Sequence, residues 1–396
     1  MNALEVCPPA ALGKPSILVA ATYGNGVFVS TNDGNTWATA SNGLTNRYVI
    51  SLAVNVGGST PSIFAGTNGG GIYRSTNNGA NWTTVNQGLT DTVIEALEVS
   101  GCNVFASSFD LRTVYGNVFL STDNGGHWSR MNTAGITWGL QDLAVCDSFL
   151  IGACGERGIL RSSDQGRTWV APINGFPPEA YSFAVSGSVL YAASYVEICR
   201  STDYGESWTS CPFDTTIDLA APRSVAAISG TSGGEYLFAG SAYGTLAVSG
   251  NCGTSWTQKA NFRDLGGTWV KAIKRNGDNL FCATYGAGVY RRPLAEILTR
   301  IEDHTTILPA QFTLEQNYPN PFNPETTIRY TIPRESTVRL IVYNVIGQAV
   351  NTVIDEKQPP GQKEVHVNAA RLASGVYFYR LQAGSFSVTR KMVVIR

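Results

Sequence analysis

The sequence has few charged residues, few histidines and no long apolar run. Only 14% of its 396 residues are charged, and the formal net charge is −1. Without a basic excess, the composition gives no reason to expect nucleic acid or an anionic membrane as a partner. No apolar run reaches the roughly eighteen residues that suggest a membrane-spanning helix, so we expect no transmembrane segment.

Metal-binding patterns are also missing. The three histidines, His127, His304 and His366, lie far apart, and the eight cysteines form no C-x-x-C pair. The sequence therefore predicts neither a metal site nor a cofactor. Cys199 and Cys211 flank one repeated motif almost symmetrically, so they could form a disulfide across a hairpin; buried free thiols are the alternative.

What the sequence does contain is a repeat. An eight-residue motif, S-x-[DN]-x-G-x-x-W, occurs six times, and we call each copy a box. The boxes are Ser30–Trp37, Ser75–Trp82, Ser121–Trp128, Ser162–Trp169, Ser201–Trp208 and Ser249–Trp256, with tryptophans 45, 46, 41, 39 and 48 residues apart. A period in the forties predicts an array of similar supersecondary units.

Each box is predicted to be a turn between two strands. Its third residue has a short side chain that can accept hydrogen bonds from backbone N–H groups two residues on. The glycine supplies positive φ, and the tryptophan can pack against a neighbouring unit. The third residues are Asn32, Asn77, Asp123, Asp164, Asp203 and Asn251. Because Asn replaces Asp in three copies and keeps the acceptor, we interpret the boxes as structural.

The boxes resemble the Asp-box, or BNR repeat, of sialidase-like, sortilin-like and photosystem-assembly-factor-like β-propellers. The resemblance implies that each box joins the third and fourth strands of a blade, away from the ligand face. Six boxed units and a last unit without a box, at 269–291, predict a seven-bladed propeller over residues 1–295, with six or eight blades as alternatives.

A second domain follows the repeats. Residues 296–310 break the period and are predicted to be a linker. Residues 311–396 contain short strands separated by glycine-rich turns, which predicts a small immunoglobulin-like β-sandwich. The whole chain is therefore predicted to be all-β. Residues 311–396 carry a net charge of +4, which we interpret as a solvated surface.

Four stretches of this second domain, NYPNPFNPETTI, VYNVIGQAV, ASGVYFYRLQAG and TRKMVVIR, resemble the type A C-terminal sorting domain of type IX secretion substrates. The resemblance implies that the type IX secretion machinery is a partner, and that the protein is bacterial and either secreted or attached to the outer-membrane surface. It assigns the sorting signal to Gly375, Tyr377, Lys391, Met392, Val393 and Val394; an ordinary terminal edge strand is the alternative. Such substrates need an N-terminal export signal, and none is recognisable after Met1, so we expect a truncated start.

The loops opposite the boxes are predicted to form a ligand-binding face. They are rich in aromatic and arginine side chains, which supply contact area at low entropic cost. These residues are Tyr23, Arg47, Tyr48, Arg112, Tyr115, Trp138, Arg157, Tyr195, Arg223, Tyr243, Trp269 and Tyr285, to which Tyr181 is added from the same loops. We expect this face to bind a protein or glycan ligand without chemistry; blade-capping residues around a water-filled channel are the alternative.

Two other functions remain open. A glycan-active hydrolase of sialidase-like or glucanase-like type would need two opposed carboxylates. The acids available in these loops are Asp91, Asp110, Asp142, Glu156, Glu179, Asp218 and Asp264, but the Arg-Ile-Pro signature of sialidases is absent. The third possibility is a purely structural component of a surface layer.

Overall fold

The computed structural model describes residues 1–9, 15–57, 61–110, 115–131, 139–155, 158–171, 179–213, 217, 219–229, 235–262, 269–298, 312–358, 360–369, 372–384 and 386–395. They divide into two compact units, Met1–His304 and Thr305–Arg396. The boundaries at 295 and 311 stay predictions, since the first residues of the predicted linker belong to a short helix of the first unit.

The described part of the first unit consists of seven antiparallel sheets, each built from consecutive strands. Blade 1 has β1 (Ala3–Cys7), β2 (Ile17–Thr22), β3 (Gly26–Ser30) and β4 (Ala38–Thr39); blade 2 has β5 (Val49–Asn55), β6 (Ser62–Thr67), β7 (Ile72–Ser75) and β8 (Thr83–Thr84); blade 3 has β9 (Val93–Ser100), β10 (Asn103–Asp110), β11 (Tyr115–Ser121) and β12 (Ser129–Arg130). Blade 4 has β13 (Asp142–Cys146), β14 (Phe149–Ala153) and β15 (Ile159–Ser162); blade 5 has β16 (Ala180–Ser186), β17 (Val189–Ser194), β18 (Ile198–Ser201) and β19 (Thr209–Cys211). Blade 6 has β20 (Pro222–Ser229), β21 (Glu235–Ser241), β22 (Thr245–Ser249) and β23 (Thr257–Asn261); blade 7 has β24 (Trp269–Asn276), β25 (Asn279–Tyr285) and β26 (Gly288–Pro293).

Blades 4 and 7 have three strands each among the described residues. In blade 4 an isolated bridge between Arg161 and Val170 stands where the fourth strand would pair. After blade 7 the chain forms the helix α1 (Leu294–Leu298), with Leu294 and Ile297 buried. Within the described residues, no helix has the length and apolar character that crossing a membrane requires.

The seven sheets close into a ring. Seven apolar clusters of described residues lie one at each junction between neighbouring blades. The closing cluster joins Leu4, Leu18 and Ala20 of blade 1 to Phe281 and Ala283 of blade 7. The prediction of an all-β, seven-bladed propeller is therefore confirmed.

The box tryptophans fill these junctions. Trp128 packs among side chains of blades 2 and 3, and the other five box tryptophans each lie between their own blade and the preceding one. Only the junction of blades 6 and 7 has no box, because blade 7 lacks one. There Leu294 and Ile297 of α1 enter the apolar cluster in place of a tryptophan.

Inside the box, the serine and the third residue form the turn together. In the third box, Ser121 Oγ donates to Asp123 Oδ1 at 2.8 Å and accepts from Gly125 N at 2.8 Å, while His127 N donates to Asp123 Oδ1 at 2.8 Å. All six boxes repeat these three hydrogen bonds. The side chain of the third residue therefore reaches the N–H four residues on, not two as the sequence analysis expected.

The fourth box residue forms hydrogen bonds that connect its blade to the preceding one. It adopts a left-handed backbone in every box, with φ between 55° and 61°. In the third box, Asn124 Oδ1 accepts from Asn55 Nδ2 at 3.0 Å, Asn124 Nδ2 donates to Ser62 Oγ at 3.0 Å, and Arg74 Nη1 donates to Asn124 O at 2.7 Å. These three partners all belong to blade 2.

The closing junction repeats this arrangement with a carboxylate. Asp33, the fourth residue of the first box, accepts from Asn276 Nδ2 at 3.0 Å and Asn279 Nδ2 at 2.5 Å, and its carbonyl accepts from Arg291 Nη1 at 2.6 Å. Asn276, Asn279 and Arg291 occupy the places in blade 7 that Asn55, Ser62 and Arg74 occupy in blade 2. The junction that closes the ring therefore has the same hydrogen-bond arrangement as the junction of blades 2 and 3. Each of the two closing blades is built from its own consecutive strands.

The suggested disulfide between Cys199 and Cys211 is wrong. In the register of β18 with β19, Cys199 lies opposite Ser210 and Cys211 lies opposite Ile198. A shift of one residue places the two side chains on opposite faces of the sheet. Accordingly, Cys199 packs in the cluster between blades 4 and 5, and Cys211 in the one between blades 5 and 6. All eight cysteines are free thiols.

The second unit is a β-sandwich. One sheet has the order β27-β28-β31, and the other has the order β30-β29-β32-β33. The strands are β27 (Thr313–Leu314), β28 (Glu325–Ile332), β29 (Ser336–Tyr343), β30 (Ala349–Gln358), β31 (Gly361–Asn368), β32 (Gly375–Ala383) and β33 (Phe386–Val394). One apolar core, including Ile328, Tyr330, Leu340, Tyr379 and Met392, lies between the two sheets.

Candidate ligand-binding face

The antiparallel order of each blade sorts its turns into two ends. The turns after the first strand and the boxes lie at one end, which we call the box face. The turns after the second strand and the connections between blades lie at the other end, the loop face. The innermost strand of each blade runs from the loop face to the box face and lines a central channel.

The channel has a volume of about 950 Å³ and is lined by residues from all seven innermost strands. Four charged residues meet in its wall: Glu5, Glu98, Asp142 and Lys274. Lys274 Nζ lies 2.7 Å from Glu5 Oε1, and Asp142 accepts hydrogen bonds from Phe183 N at 2.7 Å and its neighbour Leu143 N at 2.9 Å. Burial alone would lower the pKa of Lys274, but the charges of all three acids raise it, so the three acids share one lysine in this part of the channel.

Burial changes the protonation of these acids. It raises the pKa of Glu98 to about 8, and the charge of Asp142 adds to the rise. Burial also raises the pKa of Asp142 to about 6, although two backbone N–H groups oppose the shift. At neutral pH Glu98 is therefore mainly protonated. Sequence reasoning missed Glu5, Glu98 and Lys274; the available signal was a charged residue interrupting otherwise apolar strands.

At the loop-face end of the channel, Arg223 lies among three aromatic rings. Its guanidinium carbon is 3.5 Å from the centre of the Tyr181 ring, 5.7 Å from that of Trp269 and 5.8 Å from that of Tyr195. Arg223 Nε is buried and has no hydrogen-bond acceptor among the described residues. Tyr181 donates a short hydrogen bond from its hydroxyl to Glu179.

A second cation extends this group. Lys271 Nζ lies 4.3 Å from the centre of the Trp269 ring, and the Tyr285 ring lies 6.1 Å from that of Trp269 at an angle of 41°. Burial lowers the pKa of Lys271, and the charge of Arg223 lowers it further, while Glu95 opposes the shift. Lys271 was not predicted from the sequence. We call Tyr181, Tyr195, Arg223, Trp269, Lys271 and Tyr285 the mouth cluster.

The mouth cluster combines open rings with cations. Tyr195, Trp269 and Tyr285 are 48%, 39% and 51% exposed. Exposed rings offer flat apolar surfaces, and cations held over ring faces gain roughly 0.5–2 kcal/mol each, depending on desolvation. The arrangement can hold a ring or apolar group against the aromatics while the two cations donate hydrogen bonds to oxygen atoms.

Other residues of the predicted face lie outside the mouth cluster. Tyr23 and Tyr48 form an edge-to-face pair with centroids 5.0 Å apart, and Tyr23 Oη accepts from Asn68 Nδ2 at 2.9 Å. Arg47 contributes its carbonyl to Gly24 N and Gly26 N. Tyr115 and Tyr243 are exposed on blades 3 and 6. Arg112, Trp138 and Arg157 lie outside the described residues, and the ligand-binding role of the whole set stays a prediction.

The loop acids that the structure describes differ in their surroundings. Asp91 is buried and accepts hydrogen bonds from Thr90 Oγ1, Ser108 Oγ and Asn117 Nδ2 at 2.5–3.0 Å, which gives it a structural role in blade 3. Asp142 lines the channel. Glu156, Asp218 and Asp264 lie outside the described residues. Across the described parts of the chain, no three His, Cys, Asp or Glu residues are grouped as a metal site would require.

The predicted sorting signal lies on the last two strands. Gly375 pairs with Val394 and Tyr377 with Met392, and the side chains of Met392 and Val394 are fully buried. Lys391 is exposed.

The outer edge of β33 is covered by the segment Gln316–Phe322. Val393 N donates to Asn320 Oδ1 at 2.8 Å, Phe322 N donates to Val393 O at 3.0 Å, and Gln316 Nε2 donates to Lys391 O at 2.7 Å. β33 is the last strand of its sheet, and the sorting role of these residues stays a prediction, with an ordinary terminal edge strand as the alternative.

Comparison with known proteins identifies the second unit and supports the fold of the first. Residues 316–395 match the model of the Secretion system C-terminal sorting domain. None of the curated proteins matches the chain. Many solved structures share its fold at low identity, among them the following three.

The first is PorZ, an essential bacterial surface component of the type-IX secretion system of Porphyromonas gingivalis, with 14% identity, a TM-score of 0.54, and 99% of this chain and 59% of that chain covered. The second is an ancestral GH74 enzyme, with 16% identity, a TM-score of 0.55, and 96% and 58% covered. The third is YCF48 from Cyanidioschyzon merolae, with 12% identity, a TM-score of 0.55, and 74% and 94% covered; YCF48 has also been solved bound to a D1 peptide.

These likenesses show the fold alone, and the chain spans less than two thirds of the PorZ and GH74 chains. The sorting domain makes the chain a secreted or cell-surface bacterial protein and a partner of the type IX secretion machinery. The protein is thus a seven-bladed β-propeller followed by a secretion-system C-terminal sorting domain.

Proposed function

We propose that this protein is a binding module delivered to the cell exterior by its sorting domain, and that the mouth cluster holds its ligand. The observation that carries the proposal is the pair of cations, Arg223 and Lys271, held over aromatic rings at the open end of a 950 Å³ channel. Binding sites combine such apolar surfaces with a few convergent polar groups.

The geometry suggests how a ligand is held. A flat ring or apolar group stacks on Trp269 and Tyr285, while Arg223 and Lys271 donate to its oxygen atoms. Because both cations are partly buried and close to each other, an acceptor or acidic group on the ligand relieves their mutual repulsion. A saccharide with ring faces and oxygens fits this chemistry, and a peptide carboxylate with an apolar neighbour uses the same groups.

The test is a binding screen of the purified full chain against glycan and peptide arrays, followed by calorimetry on the best ligand. We expect Arg223→Gln and Trp269→Ala each to weaken binding about tenfold or more, as buried anchors of an interface do. The matched control is Tyr115→Ala, an exposed tyrosine on blade 3, which should leave the affinity unchanged. Full affinity in both mouth variants would place the ligand elsewhere.

The same experiment separates the other two functions. Turnover of a sialoside or β-glucan that is lost in Glu179→Gln would favour a glycan-active hydrolase, because Glu179 is the described loop acid adjoining the mouth cluster through Tyr181. Absence of binding on both arrays, with a folded protein, would favour a structural component of the cell surface.

A further inference from the structure

One sheet of the sorting domain has an outer face whose side chains do not pack in the core between the two sheets. Along β29, β32 and β33, alternate side chains point into the core between the two sheets: Val342, Tyr379 and Met392 are fully buried there. The residues between them point to the opposite side of the same sheet, because side chains alternate along a strand. Core packing therefore accounts for only half of the residues in these strands.

The outward residues line up across the three strands. Phe378 pairs with Tyr343 on one side and Lys391 on the other, and Val376 pairs with Val393. Arg380 lies one row along, between Ile341 and Thr389, and its guanidinium carbon is 5.1 Å from the centre of the Tyr343 ring. We call Tyr343, Val376, Phe378, Arg380, Lys391 and Val393 the outer sheet face.

The outer sheet face combines apolar side chains, Val376, Phe378 and Val393, with two cations, Arg380 and Lys391. Val376 is 38% exposed, which is high for an apolar strand residue. Arg380 Nε donates to Thr389 Oγ1 at 3.1 Å, and among the described residues neither Arg380 nor Lys391 has a carboxylate within 4.0 Å. Two other cations on the same sheet are paired: Arg339 with Asp355 at 3.0 Å and Lys357 with Glu335 at 2.6 Å.

The hydrogen bonds along the outer edge of β33 disfavour recognition by a partner strand added at that edge. The outer edge of β33 is already occupied by the segment Gln316–Phe322, so a partner strand would first have to displace these hydrogen bonds. A partner that docks on the outer sheet face needs no displacement, and it contacts Lys391 and Val393 of the predicted sorting signal directly.

We propose that the outer sheet face is the docking surface for a protein of the secretion machinery, and that this protein presents an apolar patch bordered by carboxylates. Charge complementarity favours this occupant over a second copy of the chain, since two copies would bring Arg380 and Lys391 against like charges. The proposal depends on the sorting-domain match and not on ligand binding by the propeller.

The test is export of the full chain, fused to an N-terminal signal peptide of the host, by a bacterium with a type IX system. The double variant Arg380→Glu with Lys391→Glu reverses the charge of the face at exposed positions. We expect its extracellular fraction to fall about tenfold or more, with folded protein retained in the periplasm, because reversed charges meet like charges on the partner. The control is Lys363→Glu on the other sheet with the exposed Arg130→Glu on blade 3, which changes the net charge equally and should be exported normally.

Folding is checked separately. The purified double variant should keep the melting temperature of the parent, and Val376→Glu, which tests the apolar part at an exposed position, should be retained in the same way. Normal export of both face variants overturns the proposal. So does a dimer of the parent that the double variant dissolves, or binding to phosphatidylglycerol vesicles that the double variant loses while export stays normal. Arg223→Gln, a mouth variant, should be exported normally, so this result is independent of the proposed ligand binding.

Discussion

On the box face, six blades repeat the same three hydrogen bonds, whereas the mouth cluster on the loop face draws its residues from blades 5, 6 and 7 alone. The repeated positions hold the blades together. The positions that depart from the repeat gather cations and open rings at one sector of the channel. In this chain the repeated residues therefore stabilise the ring, and the residues that depart from the repeat form the candidate site.

The largest difference between the faces should appear when one tryptophan is removed from each. Trp128 is 1% exposed and its Nε1 donates to Val85 O at 2.7 Å, so Trp128→Ala leaves a cavity between blades 2 and 3. We expect a loss of about 3–5 kcal/mol in the free energy of unfolding. Trp269→Ala, on the loop face, should cost less than about 1 kcal/mol. Calorimetry of the unfolding transition of the propeller measures the loss in each variant. Equal losses would contradict the different roles assigned to the two faces.

The second prediction concerns ring closure. Asp33→Gly removes the acceptor of Asn276 and Asn279 without straining the left-handed backbone, and Asn124→Gly removes the corresponding side chain between blades 2 and 3. Each should cost about 1–3 kcal/mol, since amide groups at a junction lose their partner. Thermal unfolding of the two variants shows whether the closing junction is equivalent to an internal one. A much larger loss for Asp33→Gly would mean that closure limits the stability of the ring.

Much of the fold follows from the sequence because it repeats. The spacing of the boxes predicts the blades. Asn32, Asn77 and Asn251 indicate that the turn requires an acceptor oxygen at the third position and not a negative charge. The exchange of a box tryptophan for Leu294 and Ile297 could not be predicted, because α1 lies where the repeat ends. The disulfide prediction failed because spacing does not give register, and a shift of one residue separates Cys199 from Cys211.

The candidate site was predicted less completely. Arg223, Trp269 and Tyr285 stand out by residue type, and they do lie together. Lys271 could not be identified, since a β-bulge between Val270 and Ala272 changes the alternation of β24 at this point. Glu5 and Glu98 were missed because which side of an innermost strand faces the channel depends on the packing of all seven blades.

The third prediction contrasts a channel acid with a box acid by their pH dependence. The pKa of Glu98 is raised to about 8, above its unfolded value of about 4.3, so the folded state holds the extra proton and stability falls as pH rises from about 4.3 to 8. The pKa of Asp164 is lowered to about 2 by hydrogen bonds from Thr168, so its contribution is present above about pH 4 and is lost as pH falls toward 2.

Melting temperatures between pH 2 and pH 8 measure both effects. The parent should melt at a lower temperature at pH 8 than at pH 5, and Glu98→Gln should flatten this part of the profile. Asp164→Asn should leave the slope between pH 5 and pH 8 unchanged, lower the melting temperature above about pH 4 by a constant amount, and flatten the profile below about pH 4, where the unfolded carboxyl is protonated. A profile that Glu98→Gln does not change between pH 5 and pH 8 would contradict the assignment of the channel proton.

The smallest effect should come from Asp123→Asn. Asp123 Oδ1 accepts from His127 N and Ser121 Oγ, and an amide oxygen can accept both hydrogen bonds in the same place. The hydrogen bond from His127 N, followed by that from Ser121, lowers the pKa of Asp123, so the change removes some charge assistance but no partner. We expect a loss below about 0.5 kcal/mol for Asp123→Asn, against about 1 kcal/mol for Asp123→Ala, which leaves the box amide without its acceptor. Comparable losses in the two variants would mean that the carboxylate charge matters in this box, and the interpretation of the boxes as structural turns would then need a ligand on the box face as well.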